Sequence, residues 1–185
     1  MSCDSGYQRP HRAVQFHGQG VQEDRGASGI MLNWFKSLFR RPGLAGPAKT
    51  VRAFNTSSQP ITQDGVSVDQ NGWRIDSREK RTVRLFEVPV SGIEQCQVTY
   101  RAQMKTANVD RGTYLEMWCR FPSQGEFFSK GLHHSVKGTT GWASYETPFY
   151  LMKGQRPDLI KLNLVCEGAG TVWIKELELL QTPLE

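Results

Sequence analysis

From residue 66 onward, apolar residues recur at every second position in short runs, and glycine, proline and asparagine separate the runs. That period of two belongs to β-strands, whose successive side chains point to opposite faces. Val66-Ser67-Val68 and Trp73-Arg74-Ile75 flank Asn71-Gly72, a strong hairpin signal. Thr82 to Val90, Gln97 to Met104 and Gly112 to Phe121 alternate along their lengths, and Phe127-Phe128, Val136 and Tyr145 to Met152 are shorter candidates. Asp158 to Val165 and Gly170 to Leu180 close the chain. The turn Gly168-Ala169-Gly170 joins them, and they read as the final hairpin. About nine to ten short strands at even spacing, with no interior helix, predict an all-β fold: a two-sheet antiparallel jelly-roll sandwich.

The N-terminal part reads differently. Residues 1–30 are rich in Gly, Gln, Arg and Ser without period, and predict a disordered arm. Met31 offers a second start, which would leave that arm outside the protein. Residues 31–48 form a short basic amphipathic helix and a linker, and residues 49–185 form the sandwich domain. Met31, Trp34, Phe35 and Leu38 fall at helical spacing, and Pro42-Gly43 ends the helix. Two readings stand for it. The helix docks on the sandwich, or it lies at a membrane surface. In the second case Trp34, Phe35 and Leu38 meet the acyl boundary, and Lys36, Arg40 and Arg41 face anionic headgroups.

Charge sharpens this division. The net charge is +5; residues 1–58 hold eight Lys/Arg against three Asp/Glu, and residues 59–185 hold fifteen of each. The domain is electrically balanced, so its folded surface argues against nucleic acid as partner. No apolar run approaches the ~20 residues that span a bilayer, and no secretory signal is visible. The expected location is cytoplasmic, with peripheral membrane contact through the helix.

Cys3, Cys96, Cys119 and Cys166 form no Cys-x-x-Cys pair, which argues against a zinc ribbon. Cys119 and Cys166 each fall on the apolar face of a strand, either as small hydrophobes or as a disulfide pair. His133 and His134 are adjacent and would point to opposite sides of a strand, a poor chelate. No metal and no cofactor are expected.

The strand Tyr114 to Phe121 has an apolar face of Leu115, Met117, Cys119 and Phe121. Its other face shows Tyr114, Glu116, Trp118 and Arg120. The strand before it turns Arg101 and Gln103 away from Tyr100 and Ala102, and the strand after residue 158 turns Lys161 and Asn163 away from Ile160 and Leu162. If these strands are neighbours in one sheet, the eight polar and aromatic residues share one outer face. A flat ring stacks on the apolar face of a pyranose while Arg, Glu and Asn take its hydroxyls. The competing reading is that Arg120 and Lys161 cover Trp118 and pair with Glu116, with no ligand involved. Trp142, Tyr145 and Phe149 read as packing at the sandwich edge, and Trp173 as capping the rim or covering the second sheet.

Catalytic motifs are missing: there is no Gly-x-Ser-x-Gly elbow, phosphate loop or His-Glu-x-x-His. Glu116 and Glu126 form a candidate glycosidase pair, which their separation would test.

The pattern Trp142-x-x-Tyr145-x-x-Pro148-Phe149, then Leu162-x-Leu164, then Gly170-Thr171-Val172-Trp173-Ile174-Lys175-Glu176-Leu177-Glu178-Leu179 resembles the end of a galactose-binding-domain-like jelly roll. Many carbohydrate-binding modules share that fold. The resemblance covers roughly residues 50–182 and implies a non-catalytic module that binds a glycan or a protein partner on the outer face of one sheet. The family often carries aspartates where Lys175 and Glu176 stand, so its structural calcium is not carried over. The alternative is a scaffolding domain that binds protein or a membrane surface through its basic N-terminal arm.

Overall fold

The computed structural model describes residues 42–122 and 124–185, together with the backbone of Val14–Gln15. Among the described residues there are ten strands: β1 (Val14–Gln15), β2 (Lys49–Phe54), β3 (Val66–Asp69), β4 (Gly72–Ser77), β5 (Arg81–Pro89), β6 (Cys96–Phe121), β7 (Gly125–Lys130), β8 (Val136–Leu151), β9 (Leu159–Cys166) and β10 (Gly170–Pro183). The 3-10 turn Leu132–His134 precedes β8. The expected helix over residues 31–41, with Trp34, Phe35, Lys36, Leu38, Arg40 and Arg41, lies outside the described residues.

β6 organises the molecule. Its first half, Cys96 to Ala107, pairs with β10 on one side and β8 on the other. Its second half, Thr113 to Phe121, pairs with β9 and β7. The first sheet is completed by β2 and β4 on the far edge of β10, with β3 beyond β4. The second is completed by β5 on the far edge of β9, and by β1, which runs parallel to β7. The result is a two-sheet, antiparallel jelly-roll sandwich, as the alternation predicts.

The sequence predicts two strands where the structure has one 26-residue strand. Residues 105–111 look polar enough to be a connection, yet they stay paired. Three register shifts break the β6–β8 ladder between Met104 and Thr113, and Asn108 takes a left-handed backbone with φ 54°. Such bulges bend a strand and raise its twist. The corner holds because Thr106 and Val109 are buried and polar groups are paired. Thr106 Oγ1 donates to the Gly138 carbonyl at 3.0 Å, and the Asn108 N–H donates to Thr139 Oγ1 at 3.0 Å.

Two connections also differ from expectation. β9 and β10 do not pair with each other: β9 pairs with β5 and β6, and β10 with β2, β4 and β6. Gly168-Ala169-Gly170 is therefore a crossover between sheets, not a hairpin. Here Gly170, at φ 146°, leaves room only for a hydrogen, since a Cβ would sit 2.7 Å from Val109 Cα. The β3–β4 hairpin exists, but its turn is Gln70-Asn71, both at positive φ, closed by the pair Asp69↔Gly72. Two consecutive left-handed residues define a type I′ turn, so Asn71 is the second turn residue and Gly72 already belongs to the strand.

One core fills the space between the sheets. The first sheet contributes Trp73, Ile75, Tyr100, Met104, Ile174 and Leu179; the second contributes Leu85, Leu115, Met117, Ile160, Leu162 and Leu164. Each such side chain contributes about 1.5–3 kcal/mol when fully buried. Phe86 lies flat on Phe54 at 3.9 Å and edge-on to Trp73 at 5.3 Å, which ties β5 to β2 and β4. Cys119 and Cys166 are free thiols in this core, as is Cys96. Cys119 stands across from Ile160 and Cys166 across from Thr113, at opposite ends of one ladder, so the disulfide reading does not hold.

Candidate functional site

The outer face of the second sheet carries six of the eight residues expected to form a site. Tyr114, Glu116, Trp118 and Arg120 come from β6, and Lys161 and Asn163 from β9, with Trp118↔Lys161 and Glu116↔Asn163 as direct cross-strand pairs. Phe128, Glu126 and Lys130 of β7 join them.

This face is closed by its own contacts. Glu116 is only 5% exposed. Its Oε1 accepts from Trp118 Nε1 at 2.8 Å and from Asn163 Nδ2 at 3.2 Å, and its Oε2 lies 3.4 Å from Lys130 Nζ. The Trp118 ring packs against Phe128 with centroids 4.7 Å apart. Lys161 donates to Glu126 at 2.5 Å. Arg120 grips Asp158 with two bonds of 2.9 Å, which hold the Asp158 carboxyl below its usual range. Burial pushes the Tyr114 hydroxyl up, and its bond to Glu167 at 2.8 Å adds to this. The face is closed by internal pairs, as the competing reading expects, but not by the pairs it names: Lys130, not Lys161 or Arg120, pairs with Glu116, while Arg120 pairs with Asp158 and Lys161 with Glu126.

Arg101 and Gln103 do not share this face. They stand on the first half of β6, before the corner, and project from the outer face of the first sheet. There Arg101 pairs with Glu178 at 2.7 Å, and Gln103 donates to Glu176 at 2.6 Å. They line a small cavity of about 170 Å³ with Ser144, Glu176 and Glu178. A bulge in β10 between Lys175 and Glu178 builds its wall, and Glu176 at its centre takes φ 50°. A left-handed residue other than glycine is uncommon, and strain of this kind concentrates at functional positions.

The same outer face carries a row that the sequence alone does not assemble. Trp173 pairs with Arg74 of β4 on one side and Lys105 of β6 on the other. The Arg74 guanidinium lies 5.5 Å from the Trp173 ring centre. The Lys105 ammonium lies 4.5 Å from Trp173 and 5.5 Å from Trp142 of β8. The Lys175 ammonium lies 4.4 Å from Trp142. Trp173 Nε1 donates to Asp69 at 2.7 Å, which fixes the plane of that ring. Arg74 also pairs with Asp76. Burial alone would raise the Asp76 carboxyl, but hydrogen bonds from Arg74 and Thr171 hold it below its usual range. Trp142 reads from sequence as edge packing. It becomes a surface platform through the β6–β8 register, to which alternation is blind.

A larger concavity, about 590 Å³, lies beside β8, lined by His134, Val136, Lys137, Thr140, Tyr145 and Glu146 among others. Among the described residues, β8 forms a strand ladder only with β6; on its other edge the Pro148 carbonyl accepts from Ser129 Oγ at 2.6 Å and the Glu146 carbonyl lies 3.5 Å from His134 Nδ1. No group of three or more His, Cys, Asp or Glu among the described residues could hold a metal ion.

The candidate glycosidase pair, Glu116 and Glu126, does not face across a shared gap. Glu116 stands across from Lys130 and Glu126 across from Arg120, an offset of four residues along one ladder. At ~3.3 Å per residue that sets their backbones about 13 Å apart, and each carboxylate is already engaged, Glu116 by Trp118, Asn163 and Lys130 and Glu126 by Lys161, which does not suit the facing pair that glycosidases use.

No family model matches the chain, and no curated protein matches it. Solved structures similar to it include "CBM4 structure and function", with a TM-score of 0.47 at 9% identity over 70% of this chain and 77% of that one. "Family 16 Carbohydrate Binding Module-2" gives 0.43 at 8% identity, over 63% and 80%. The Stig cyclase Fisc from Fischerella sp. TAU gives 0.43 at 9% identity, over 80% and 94%. These are likenesses of strand arrangement, and a fold of this kind hosts unrelated functions.

Proposed function

We propose that this domain is a non-catalytic module that binds a carbohydrate chain on the outer face of its first sheet, across Trp142 and Trp173. One observation carries the reading: two indoles stand on the same face on β8 and β10, with only β6 between them. Strands lie ~4.8 Å apart, so the two platforms are about 10 Å apart, close to the length of two pyranose units. Ser144, Gln103, Arg101 and Glu178 around the adjoining cavity supply donors and acceptors for hydroxyls. Rigid aromatic surface with a few oriented polar groups is the usual make-up of a ligand site. The Trp118 face has less to offer, because Phe128 packs against its indole ring and its carboxylate, Glu116, is buried.

The test is tryptophan fluorescence titration with a glycan array followed by soluble oligosaccharides. Trp142→Ala and Trp173→Ala are expected to abolish binding that Trp118→Ala retains. Binding lost in Trp118→Ala and kept in the other two would return the site to the second sheet.

A second reading rests on the groove beside β8. The part of the β8 edge before Glu146, with the open wall beside it, suits an extended peptide added as a further strand. A proline at Lys137 or Thr140 would then abolish capture of a protein partner without changing glycan binding.

A further inference from the structure

The cations on the Trp142–Trp173 face point to a more specific ligand class. The inference rests on the carbohydrate reading above and concerns the same face. Among the described residues, Lys105 and Lys175 make no ion pair. Lys105 Nζ donates to the neutral Gln70 side chain at 2.6 Å, and both ammonium groups otherwise rest against indole rings. Lys80, Lys130 and Lys161, by contrast, each meet a carboxylate. Two cations thus lie within 5.5 Å of the Trp142 ring centre without an anion.

This arrangement discriminates between ligands. A sugar stacking on Trp142 must displace the ammonium groups from the ring. A neutral sugar offers them only hydroxyls. A sugar acid offers a carboxylate, and each lysine then exchanges a cation–π contact for a charge-assisted hydrogen bond. We propose that the face selects a carbohydrate bearing a carboxylate, a uronic acid residue seated on Trp142 between Lys105 and Lys175. Asp69 and Glu176 set the limit on charge. They sit beside Trp173 and Gln103, held by neutral donors, and would repel a continuous line of phosphates or sulfates. Nucleic-acid binding needs a track of cations along the backbone; on this face Arg74 and Arg101 already meet carboxylates, which leaves Lys105 and Lys175.

The experiment is calorimetric titration of the full chain with trigalacturonic acid, neutral galactotriose, a keratan sulfate tetrasaccharide, which is sulfated but holds no uronic acid, and a single-stranded oligonucleotide, each at low and high salt. Trigalacturonic acid is expected to bind most tightly and to weaken with salt. Lys105→Gln and Lys175→Gln are each expected to weaken it about ten-fold, while galactotriose, which then has one ammonium fewer to displace from the ring, binds at least as tightly as to wild type. Equal binding of the acidic and neutral trisaccharides, with no effect of either lysine, overturns this inference and leaves the carbohydrate reading standing. Preference for the sulfated chain or the oligonucleotide overturns it in favour of a polyanion. No binding of any saccharide overturns both readings.

Discussion

The Trp118 indole donates its N–H to Glu116, two residues back on the same face of β6, at 2.8 Å. The contact turns an aromatic residue that looks available for a ligand into the lid of a buried carboxylate. Glu116 also accepts from Asn163 and meets Lys130, so three side chains from three strands share one acid. Glu116→Ala would leave two donors and a cation without their acceptor beneath cover. The expected loss is about 2–4 kcal/mol, read by urea denaturation. Glu116→Gln keeps one oxygen for Trp118 and is expected to lose about 1 kcal/mol. An alanine variant within about 0.5 kcal/mol of wild type would show the network to be ornamental.

Gly72 makes a second, local prediction. A Cβ there would collide with the Ile174 carbonyl and come within 2.7 Å of Lys175 Cβ. The glycine lets β4 approach β10 just where Trp173 and Lys175 are set. Gly72→Ala is expected to cost about 2–4 kcal/mol and to shift the Trp173 indole resonance in a proton–nitrogen NMR spectrum. Gly46→Ala, where a Cβ meets nothing within 4 Å, is the control and is expected to change neither.

These two sites also mark what alternation can and cannot tell. Period-two patterning gives each residue a face, and it separates Leu115, Met117 and Cys119 from Glu116 and Trp118 correctly. It does not say which strand lies alongside. Arg101 and Trp118 have the same outward polarity on the same strand, yet the corner at Thr106 to Gly112 sends them to different sheets. For the same reason Gly168-Ala169-Gly170 looks like a hairpin and is a crossover. The Trp142–Lys105–Trp173 row depends on two ladders of long sequence separation. No local signal carries that information, whereas the strands themselves, and the core they bury, are written locally.

Tyr100 is fully buried, and nothing among the described residues bonds its hydroxyl. A buried polar group without a partner is a net cost. Tyr100→Phe removes the oxygen and keeps the ring, so it is expected to leave stability unchanged or raise it by up to about 1 kcal/mol. Thermal and urea unfolding check this. A loss above about 1 kcal/mol would reveal a buried water serving the hydroxyl.

The core thiols predict how the domain responds to alkali. Burial pushes Cys119 up to about 12 and Cys96 up to about 11, and it raises Cys166 as well. An unfolded thiol ionises near pH 8.5. Above that pH the unfolded chain sheds protons that the folded chain keeps, so stability falls as pH rises, and it is fully present below it. From pH 8 to pH 10 one fully buried thiol accounts for about 2 kcal/mol of that loss. Cys119 is the cleanest case, with no measurable exposure. Lysines and tyrosines titrate in the same range, so the comparison is between wild type and Cys119→Val at both pH values. The variant is expected to lose about 2 kcal/mol less than wild type between pH 8 and pH 10. An identical pH slope in the two proteins would mean that Cys119 ionises in the folded state, and with it that the space between the sheets admits water.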